Sequence, residues 1–279
     1  MKIIDNLRDG CEILKANNIS SYKIDCEIIM SQTLCISREE VLLNLDKNLK
    51  KEEKERYFNL INRRKKNEPI AYITNNRGFW KNIFITNKNA LIPRPDSEHL
   101  VEQALRIIKK DQAKRILDVG VGSGCLSISI LNERLNCKCD AIDPSKNALK
   151  LAKINANLHQ LLNRIKFYKR DVDNFYNDKY DLIISNPPYI NKHKVKYLGT
   201  IKYEPKIALD GGLDGLEIIR KVISKSKNLL KNNGKLILEI GHDQKYKVTN
   251  LLKKKNYFIN KIIKDYGNNT RCIVSTKIK

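Results

Sequence analysis

The chain has 279 residues, which is enough for one large domain and a second, smaller one. It contains 54 Lys and Arg against 31 Asp and Glu, a formal net charge of +23 that is typical of proteins with a polyanionic partner, but the basic residues are spread along the chain and a compositional bias explains them equally well. No apolar run approaches the roughly 18 residues of a membrane span and no signal-like segment opens the chain, so a cytoplasmic protein without membrane contact is expected.

The cysteines and histidines do not form a recognisable metal site. Seven Cys residues are present without a Cys-x-x-Cys pair, and the four His residues have no ligand spacing among them. Cysteines of this kind, in a chain without a secretory segment, are predicted to be reduced and mostly buried thiols. We therefore expect no metal cofactor.

The first 75 residues are predicted to form a small helical bundle, because apolar residues recur at helical spacing along most of this segment. The charged stretch 51–67 is predicted to be a helix whose apolar stripe includes Tyr57 and Ile61. Ser37 and Glu40 have the spacing of a capping box ahead of a further helix. Residues 1–75 are therefore assigned to an N-terminal helical domain.

Residues 76–90 are predicted to form a β-hairpin that connects this bundle to the rest of the chain. Pro69 ends the preceding helix, because the residue before a proline avoids the helical conformation. Short β-prone runs between positions 70 and 85 surround Asn75-Asn76-Arg77-Gly78, which is a turn signal. Phe79 and Trp80 are expected to fill a core or an interdomain contact rather than to bind substrate.

Two prolines flank Arg94, so the backbone of residues 91–96 is stiff and the guanidinium group is aimed. An arginine held in this way just before a predicted helix is suited to orient an acceptor group or a bound ligand, and a solvated linker arginine is the alternative. Ser97 or Asp96 is expected to cap the helix with its side chain.

From residue 115 onwards, strands and helices alternate, which predicts a parallel sheet with helices on both faces over residues 91–279. The first strand is followed by a glycine-rich turn and an apolar helix, an arrangement in which backbone can approach a nucleotide-like ligand closely. The residues of this segment that we expect at the ligand are Asp118, Gly120, Val121, Gly122, Ser123 and Gly124. Similar turns also bind dinucleotides, and Asp118 can brace the turn instead of contacting the ligand.

Acidic residues after the next two predicted strands favour a ligand that contains a ribose and an adenine ring. Asp143 lies about 20 residues after the glycines, where a carboxylate can bind both hydroxyl groups of a ribose. Asp171 follows the next strand and Val172 comes directly after it, so both are expected beside an adenine ring. An aspartate at a strand end also frequently caps a helix, and that alternative stays open for Asp171.

The segment Asn186-Pro187-Pro188-Tyr189 follows a short apolar run that is predicted to be a buried strand. The two prolines stop the strand and hold its end rigid. The amide oxygen of Asn186, the peptide carbonyls beside the prolines and the ring of Tyr189 can form a socket for a planar amino group. Such a socket turns a nitrogen lone pair towards an electrophile, so these four residues are predicted to catalyse methyl transfer.

The rest of the chain completes an α/β pattern. Residues 191–215 have few periodic apolar positions, and an irregular segment of this length is expected to form a lid over the acceptor pocket. Helices are predicted at 148–158, with Asn155 and Asn157 at the surface, and at 216–230 and 244–255; strands are predicted at 234–240, 258–263 and 272–275.

The order and spacing of the glycine turn, Asp143, Asp171 and Asn-Pro-Pro-Tyr are those of an adenosylmethionine-dependent amino methyltransferase. Within that class the chain resembles the release factor glutamine methyltransferases of the PrmC/HemK family over nearly its whole length. Besides Asn-Pro-Pro-Tyr, the resembling segments are Glu68-Pro-Ile-Ala-Tyr72, Arg77-Gly-Phe79-Trp80, Leu91 to Glu98, which matches the signature IPRPDTE except for Ser97 in place of Thr, and Tyr203-Glu204-Pro205 with Asp214-Gly215-Leu216.

The resemblance implies methylation of the side-chain amide of Gln in the Gly-Gly-Gln motif of class I peptide chain release factors, in support of translation termination. It implies a class I, Rossmann-like methyltransferase sheet with an antiparallel closing hairpin, S-adenosylmethionine as cofactor, S-adenosylhomocysteine as product, and an N-terminal bundle that helps to grip the release factor. We expect a monomer that needs no nucleic acid. The implied cofactor site comprises Asp118, Gly120, Val121, Gly122, Ser123, Gly124, Asp143, Asp171, Val172 and Asn186. The implied substrate site comprises Arg94, Asn186, Pro187, Pro188, Tyr189 and Glu204.

Two other functions share some of these features. An adenine or guanine amino methyltransferase would use the same socket for a flipped base, and the net charge would suit it, but the chain has no sizeable extra segment for target recognition. A degenerate methyltransferase that acts only as a binding scaffold would have a damaged glycine turn or socket, and both are intact.

Overall fold

The computed structural model describes residues 1–197 and 202–278. The chain divides into two compact units, Met1–Asn76 and Arg77–Lys279, each with its own hydrophobic core. Within the described ranges, none of the helices is long and apolar enough to cross a membrane. The same ranges contain no group of three or more His, Cys, Asp or Glu side chains that could hold a metal ion.

The first unit is helical, as predicted. Its helices are α1 (Ile3–Ala16), α2 (Tyr22–Leu34), α3 (Arg38–Leu43), α4 (Lys51–Lys65) and the single turn α5 (Ile70–Ile73). Tyr57 and Ile61 of α4 are fully buried, which confirms the predicted apolar stripe. The predicted capping box of α3 is confirmed, since Ser37 Oγ accepts a hydrogen bond from Glu40 N at 3.1 Å and Glu40 Oε2 accepts one from Ser37 N at 2.7 Å.

The β-hairpin is present, but its turn was misplaced. Its strands are β1 (Asn76–Phe79) and β2 (Asn82–Ile85), so Asn76 to Gly78 lie in a strand and the turn lies at Trp80 and Lys81. Trp80 has a φ of +54°, and its N–H donates to Glu98 Oε1 at 2.8 Å. A tertiary hydrogen bond thus fixes a turn that the local sequence does not favour. The β-prone run at 70–73 was also wrong, because it forms α5.

The second unit contains a seven-stranded sheet. Its strands are β3 (Arg115–Val119), β4 (Lys138–Asp143), β5 (Ile165–Lys169), β6 (Tyr180–Ser185), β7 (Leu230–Glu239), β8 (Tyr257–Lys264) and β9 (Thr270–Lys277). They lie in the order β5-β4-β3-β6-β7-β9-β8, with β5 to β7 parallel and the last two strands antiparallel. This order confirms the class I sheet and its antiparallel closing hairpin.

Helices cover both faces of this sheet. They are α6 (Glu98–Ile107), α7 (Cys125–Glu133), α8 (Lys146–Leu158), α10 (Glu217–Leu229) and α11 (Lys245–Lys254); the single turn α9 (Lys192–Val195) follows the Asn-Pro-Pro-Tyr motif and has no buried residue. Successive strand residues point to opposite faces, so Ile116 packs with α6 to α8 whereas Leu117 packs with α10 and α11. Strands β3 and β6 are neighbours although they are far apart in sequence. Their carboxyl ends therefore meet at the point where the strand order reverses, which is where α/β sheets bind ligands.

Candidate active site

A cavity of about 250 Å³ opens at the carboxyl ends of the parallel strands in the second unit. Its wall contains the glycine turn after β3, the residue that ends β4, the turn after β5 and the prolines after β6. The segment 91–94 completes the wall. Of the predicted site residues, those in the wall are Arg94, Gly120, Val121, Gly122, Ser123, Asp143, Asp171, Val172, Asn186, Pro187 and Pro188.

The glycine turn requires glycine for two different reasons. Gly120, Gly122 and Gly124 all have positive φ angles, of 77°, 54° and 84°. At Gly120 an added Cβ would meet no atom within 4 Å, whereas at Gly124 it would lie 2.9 Å from Ile128 Cδ1. Gly124 therefore allows α7 to pack closely, and Gly120 leaves the cavity side of the turn bare.

Asn155 supports this turn, although the sequence predicted it at the surface. That prediction was wrong: Asn155 is fully buried, while Asn157 is exposed as expected. Its Nδ2 donates to the carbonyl of Ser123 at 2.8 Å, and its Oδ1 accepts from Ile85 N at 2.8 Å. A buried amide that satisfies backbone groups of strand β2 and of the glycine turn is polar without being exposed, so helical periodicity alone misassigned it.

Asp143 joins the end of β4 to the glycine turn. Its Oδ2 accepts from Gly122 N at 3.0 Å and its Oδ1 accepts from Ser145 N at 2.8 Å. Burial raises the pKa of this carboxyl above its usual value, and the two backbone hydrogen bonds oppose that shift. Carboxylate oxygens have further lone pairs, so Asp143 in the cavity wall can still accept from a ligand hydroxyl.

Asp118 and Asp171 are placed differently from each other. Asp118 is fully buried and is not in the cavity wall; its Oδ2 accepts from Ser127 N at 3.3 Å, and its Oδ1 has no partner among the described residues. Burial raises the pKa of Asp118 to about 7. Asp171 lies in the wall but also caps a short 3₁₀ turn by accepting from Asp173 N at 3.1 Å.

A chain of hydrogen bonds holds Asn186. Its Nδ2 donates to Ser97 Oγ at 2.9 Å, and Ser97 Oγ donates to Glu239 Oε2 at 2.5 Å. Glu239 ends β7 and is 1% exposed. Ser97 or Asp96 was predicted to cap α6, but among the described residues α6 has no side-chain cap: the Ser97 hydroxyl is used by Glu239 and Asn186, and the Asp96 carboxylate pairs with Arg271 at 3.1 Å.

Tyr189 is not in the cavity wall. Its ring packs against the apolar cluster beneath α10 and α11, and its hydroxyl donates to Glu239 Oε1 at 3.2 Å. Burial raises the pKa of the phenol well above its usual value. The described geometry therefore does not place the ring in the cavity wall, because the hydrogen bond to Glu239 and the apolar cluster hold it elsewhere.

The backbone of the Pro-Pro-Tyr segment is braced by a second loop. Gln244 Nε2 donates to the carbonyls of Tyr189 and Gly215, both at 3.0 Å. At Gly211 an added Cβ would lie 2.8 Å from the carbonyl oxygen of Pro188 and 2.9 Å from Tyr189 Cα. Glycine in the loop before α10 therefore allows its backbone to contact the backbone of the Pro-Pro-Tyr segment directly.

Arg94 and Glu204, both predicted at the substrate, pair with each other. Arg94 Nη2 donates to Glu204 Oε2 at 2.5 Å, and Glu204 Oε1 accepts from Ile92 N at 3.1 Å. The Glu204 side chain is 2% exposed and that of Arg94 is 42% exposed. Glu204 thus ties this part of the predicted lid to the 91–94 segment, and residues 198–201 lie outside the described ranges.

Ser97 and Glu239 are the site residues that sequence reasoning missed. Ser97 was noted within the signature-like segment but was given only the role of a helix cap, and Glu239 was hidden in an apolar strand. One signal was available, since a carboxylate in a buried strand needs hydrogen-bond partners. The sequence did not indicate which residues would supply them.

Family models and solved structures identify the class of protein to which the chain is similar. The PrmC N-terminal domain family matches residues 5–74 and the Methyltransferase small domain family matches residues 98–202. A methyltransferase from Pyrococcus furiosus superposes with a TM-score of 0.54 at 18% identity, over 70% of this chain and 89% of that one. The ribosomal protein L11 methylase of Lactobacillus delbrueckii subsp. bulgaricus gives 0.52 at 18% identity, over 67% and 81%. The protein is a methyltransferase.

Proteins similar in sequence over the whole chain identify the family within this class. A release factor glutamine methyltransferase of Clostridium botulinum is 38% identical over 99% of this chain and 100% of its own length. One from Clostridium acetobutylicum is 35% identical over 99% of both chains. The chain belongs to the family of release factor glutamine methyltransferases.

Proposed function

We propose that this protein transfers a methyl group from S-adenosylmethionine to the side-chain amide nitrogen of the Gly-Gly-Gln glutamine in class I peptide chain release factors. The observation that supports this best is the state of Asn186. Its NH₂ group is occupied by Ser97, which leaves its carbonyl oxygen as the acceptor at a cavity that also contains the glycine turn. An acceptor is what an incoming amide NH₂ group requires.

The cavity fits the proposed cofactor. The glycine turn presents bare backbone at Gly120, where a Cβ would stand in open space, and Asp143 offers free lone pairs in the same wall. Gly120 to Ser123 would hold the methionine part, Asp143 the ribose, and Val172 with Asp171 the adenine. Adenosylmethionine supplies an electrophilic methyl group on a sulfonium.

The residues of the chain would act mainly by orientation. Asn186 Oδ1 and the neighbouring peptide carbonyls accept the two N–H bonds of the glutamine amide, so that its lone pair points at the methyl carbon. As the bond forms, the nitrogen becomes positively charged, and the same acceptors stabilise that charge. The surplus proton then leaves to solvent. The predicted contact of Tyr189 with the amide stays a prediction.

Both the helical domain and the segment around Arg94 would contact the release factor. The N-terminal helices, residues 1–75, would contact the release factor, while the hairpin 76–90 and the domain 91–279 would support and contain the site. Arg94, with nearly half its side chain exposed, would meet the substrate, and Glu204 would hold it in place. Because release factors act on cytoplasmic ribosomes, the protein would act in the cytoplasm under this proposal. A monomer stays a prediction.

A base amino methyltransferase acting on nucleic acid is the second candidate. It is favoured by one observation, the net charge of +23, because the socket accepts an exocyclic amino group as well as an amide.

The test is methyl transfer from labelled adenosylmethionine to a purified class I release factor. The same factor with its Gly-Gly-Gln glutamine changed to alanine, and total RNA and DNA, serve as parallel acceptors. We expect label on the wild-type factor alone. Label on nucleic acid with none on the factor would replace the proposal by the second candidate.

A further inference from the structure

Glu239 is a buried carboxylate for which the proposed transfer has no direct use. It lies at the end of β7, and its two oxygens accept one hydroxyl hydrogen each: Ser97 on Oε2 and Tyr189 on Oε1. Both partners belong to segments at the socket, Ser97 in the cavity wall and Tyr189 in the Asn-Pro-Pro-Tyr motif. One buried group thus connects the two.

The direction of these hydrogen bonds determines which way Asn186 faces. A serine hydroxyl has a single hydrogen, and Ser97 gives it to Glu239. Its oxygen can then only accept from Asn186, which must present its NH₂ group. The Oδ1 atom of Asn186 accepts no hydrogen bond from the described residues and is left for the cavity. A reversed amide would aim NH₂ at the NH₂ of the acceptor.

We propose that Glu239 is a positioning residue: through Ser97 it holds Asn186 with its carbonyl oxygen towards the acceptor nitrogen, and through its other oxygen it holds Tyr189. This inference rests on the proposed methyl transfer to a planar amino group, and it goes beyond it by assigning the groups that set the polarity of the socket.

The orientation of the Asn186 amide, and with it the polarity of the socket, depends on the charge of Glu239. An ionised carboxylate only accepts, whereas a protonated one can donate to Ser97 and free the serine hydrogen to approach Asn186 as a donor. Burial raises the pKa of Glu239 to about 7, against the opposing effect of the hydrogen bonds from Ser97 and Tyr189. The groups that also face Glu239 are Asp96 on the segment before α6, Arg271 and Cys272 on β9, and Cys125 at the start of α7.

The inference predicts a specific pattern among serine variants. Ser97→Ala should lower kcat for methyl transfer roughly 10- to 100-fold, the effect of losing a hydrogen bond to a buried group, and leave the Kd for adenosylmethionine within about twofold. Ser97→Thr, the residue of the IPRPDTE signature, keeps the hydroxyl and should restore most of kcat. Ser226→Ala is the matched control, because Ser226 is buried on α10 and its hydroxyl has no partner among the described residues.

Glu239→Gln tests the origin of the polarity. A glutamine can present either an oxygen or an NH₂ group to Ser97, so kcat should fall by a similar factor. The wild-type kcat should decline below about pH 7, where Glu239 becomes protonated, and the variant should not show this decline. The double variant Ser97→Ala/Glu239→Gln should be no slower than either single variant, since both break one chain of hydrogen bonds. Thermal unfolding of each variant shows that it is folded.

Each rate is compared with wild type on whichever acceptor takes the label, so the identity of the substrate is settled separately. Wild-type kcat in Ser97→Ala, an inactive Ser97→Thr that is still folded, or losses that multiply in the double variant would overturn the positioning role. Label on nucleic acid alone would overturn the proposed function. The ratios of variant to wild-type kcat, measured on nucleic acid, would then still test the positioning role of Glu239.

Discussion

The two ends of the cavity are built in different ways. The glycine end consists of a turn and Asp143, all within residues 118–143, and its shape comes from positive φ angles and backbone hydrogen bonds. The amide end depends on side chains that are far apart in sequence: Ser97 lies 89 positions from Asn186 and 142 from Glu239. The first end is local and the second is assembled by the fold. Changes at one end should therefore leave the other largely intact.

The largest expected effect is that of Asn186→Ala. Removing the acceptor oxygen should lower kcat by about 10³-fold or more, because orientation and charge stabilisation at the nitrogen are both lost. The Kd for adenosylmethionine should change by less than about threefold. Single-turnover transfer and equilibrium binding measure the two effects, with Asn157→Ala on the exposed side of α8 as control. Equal losses in both quantities would contradict the division between the two ends.

The converse change is Asp143→Ala. It removes the acceptor proposed for the ribose and also the partner of Gly122 N, so the Kd for adenosylmethionine should rise about 10- to 100-fold. The kcat at saturating cofactor should fall much less. Asp143→Asn keeps one acceptor oxygen and should lie between, and Asp111→Ala at an exposed site is the control. An unchanged Kd would show that Asp143 only braces the turn.

A smaller effect is expected behind the socket. In Gly211→Ala the new Cβ would lie 2.8 Å from the carbonyl oxygens of Pro188 and Gly215, so the backbone must shift. We expect kcat to fall about tenfold and stability to fall by about 1–3 kcal/mol, as in other overpacked sites. Gly78→Ala is the matched control, because a Cβ there meets no atom within 4 Å. Urea unfolding and steady-state kinetics compare the two; a Gly211→Ala enzyme as active and as stable as Gly78→Ala would contradict the bracing role.

The smallest effect concerns stability and pH. Burial raises the pKa of Glu239 from 4.5 to about 7, so between these values the folded protein keeps a proton that the unfolded chain has lost. This group therefore stabilises the fold most below pH 4.5, and its contribution is lost as pH rises from 4.5 through 7, by roughly 3 kcal/mol. In Glu239→Gln that loss should be absent, so the difference in unfolding free energy between variant and wild type should shift between about pH 4 and pH 8. A constant difference would contradict it.

The sequence located the glycine end more completely than the amide end. Gly120 to Ser123, Asp143, Asn186 and the prolines all lie in the cavity wall where strand ends were predicted. The errors were at positions governed by distant partners: the turn at Trp80 is fixed by Glu98, and the burial of Asn155 by backbone groups of Ile85 and Ser123. Local preference could not anticipate either.

By itself, the sequence determined most of the helical first unit, the order of the sheet strands from residue 115 onwards, and the chemistry of a planar amino acceptor. These follow from short-range physics: periodic apolar burial, glycine at positive φ, and proline at a strand end. Only the tertiary structure decided which way Asn186 faces, since that depends on a serine and a buried glutamate that meet when β6, β7 and the segment before α6 pack together. A hydrogen bond has a direction, and this one is set by a partner that the fold supplies.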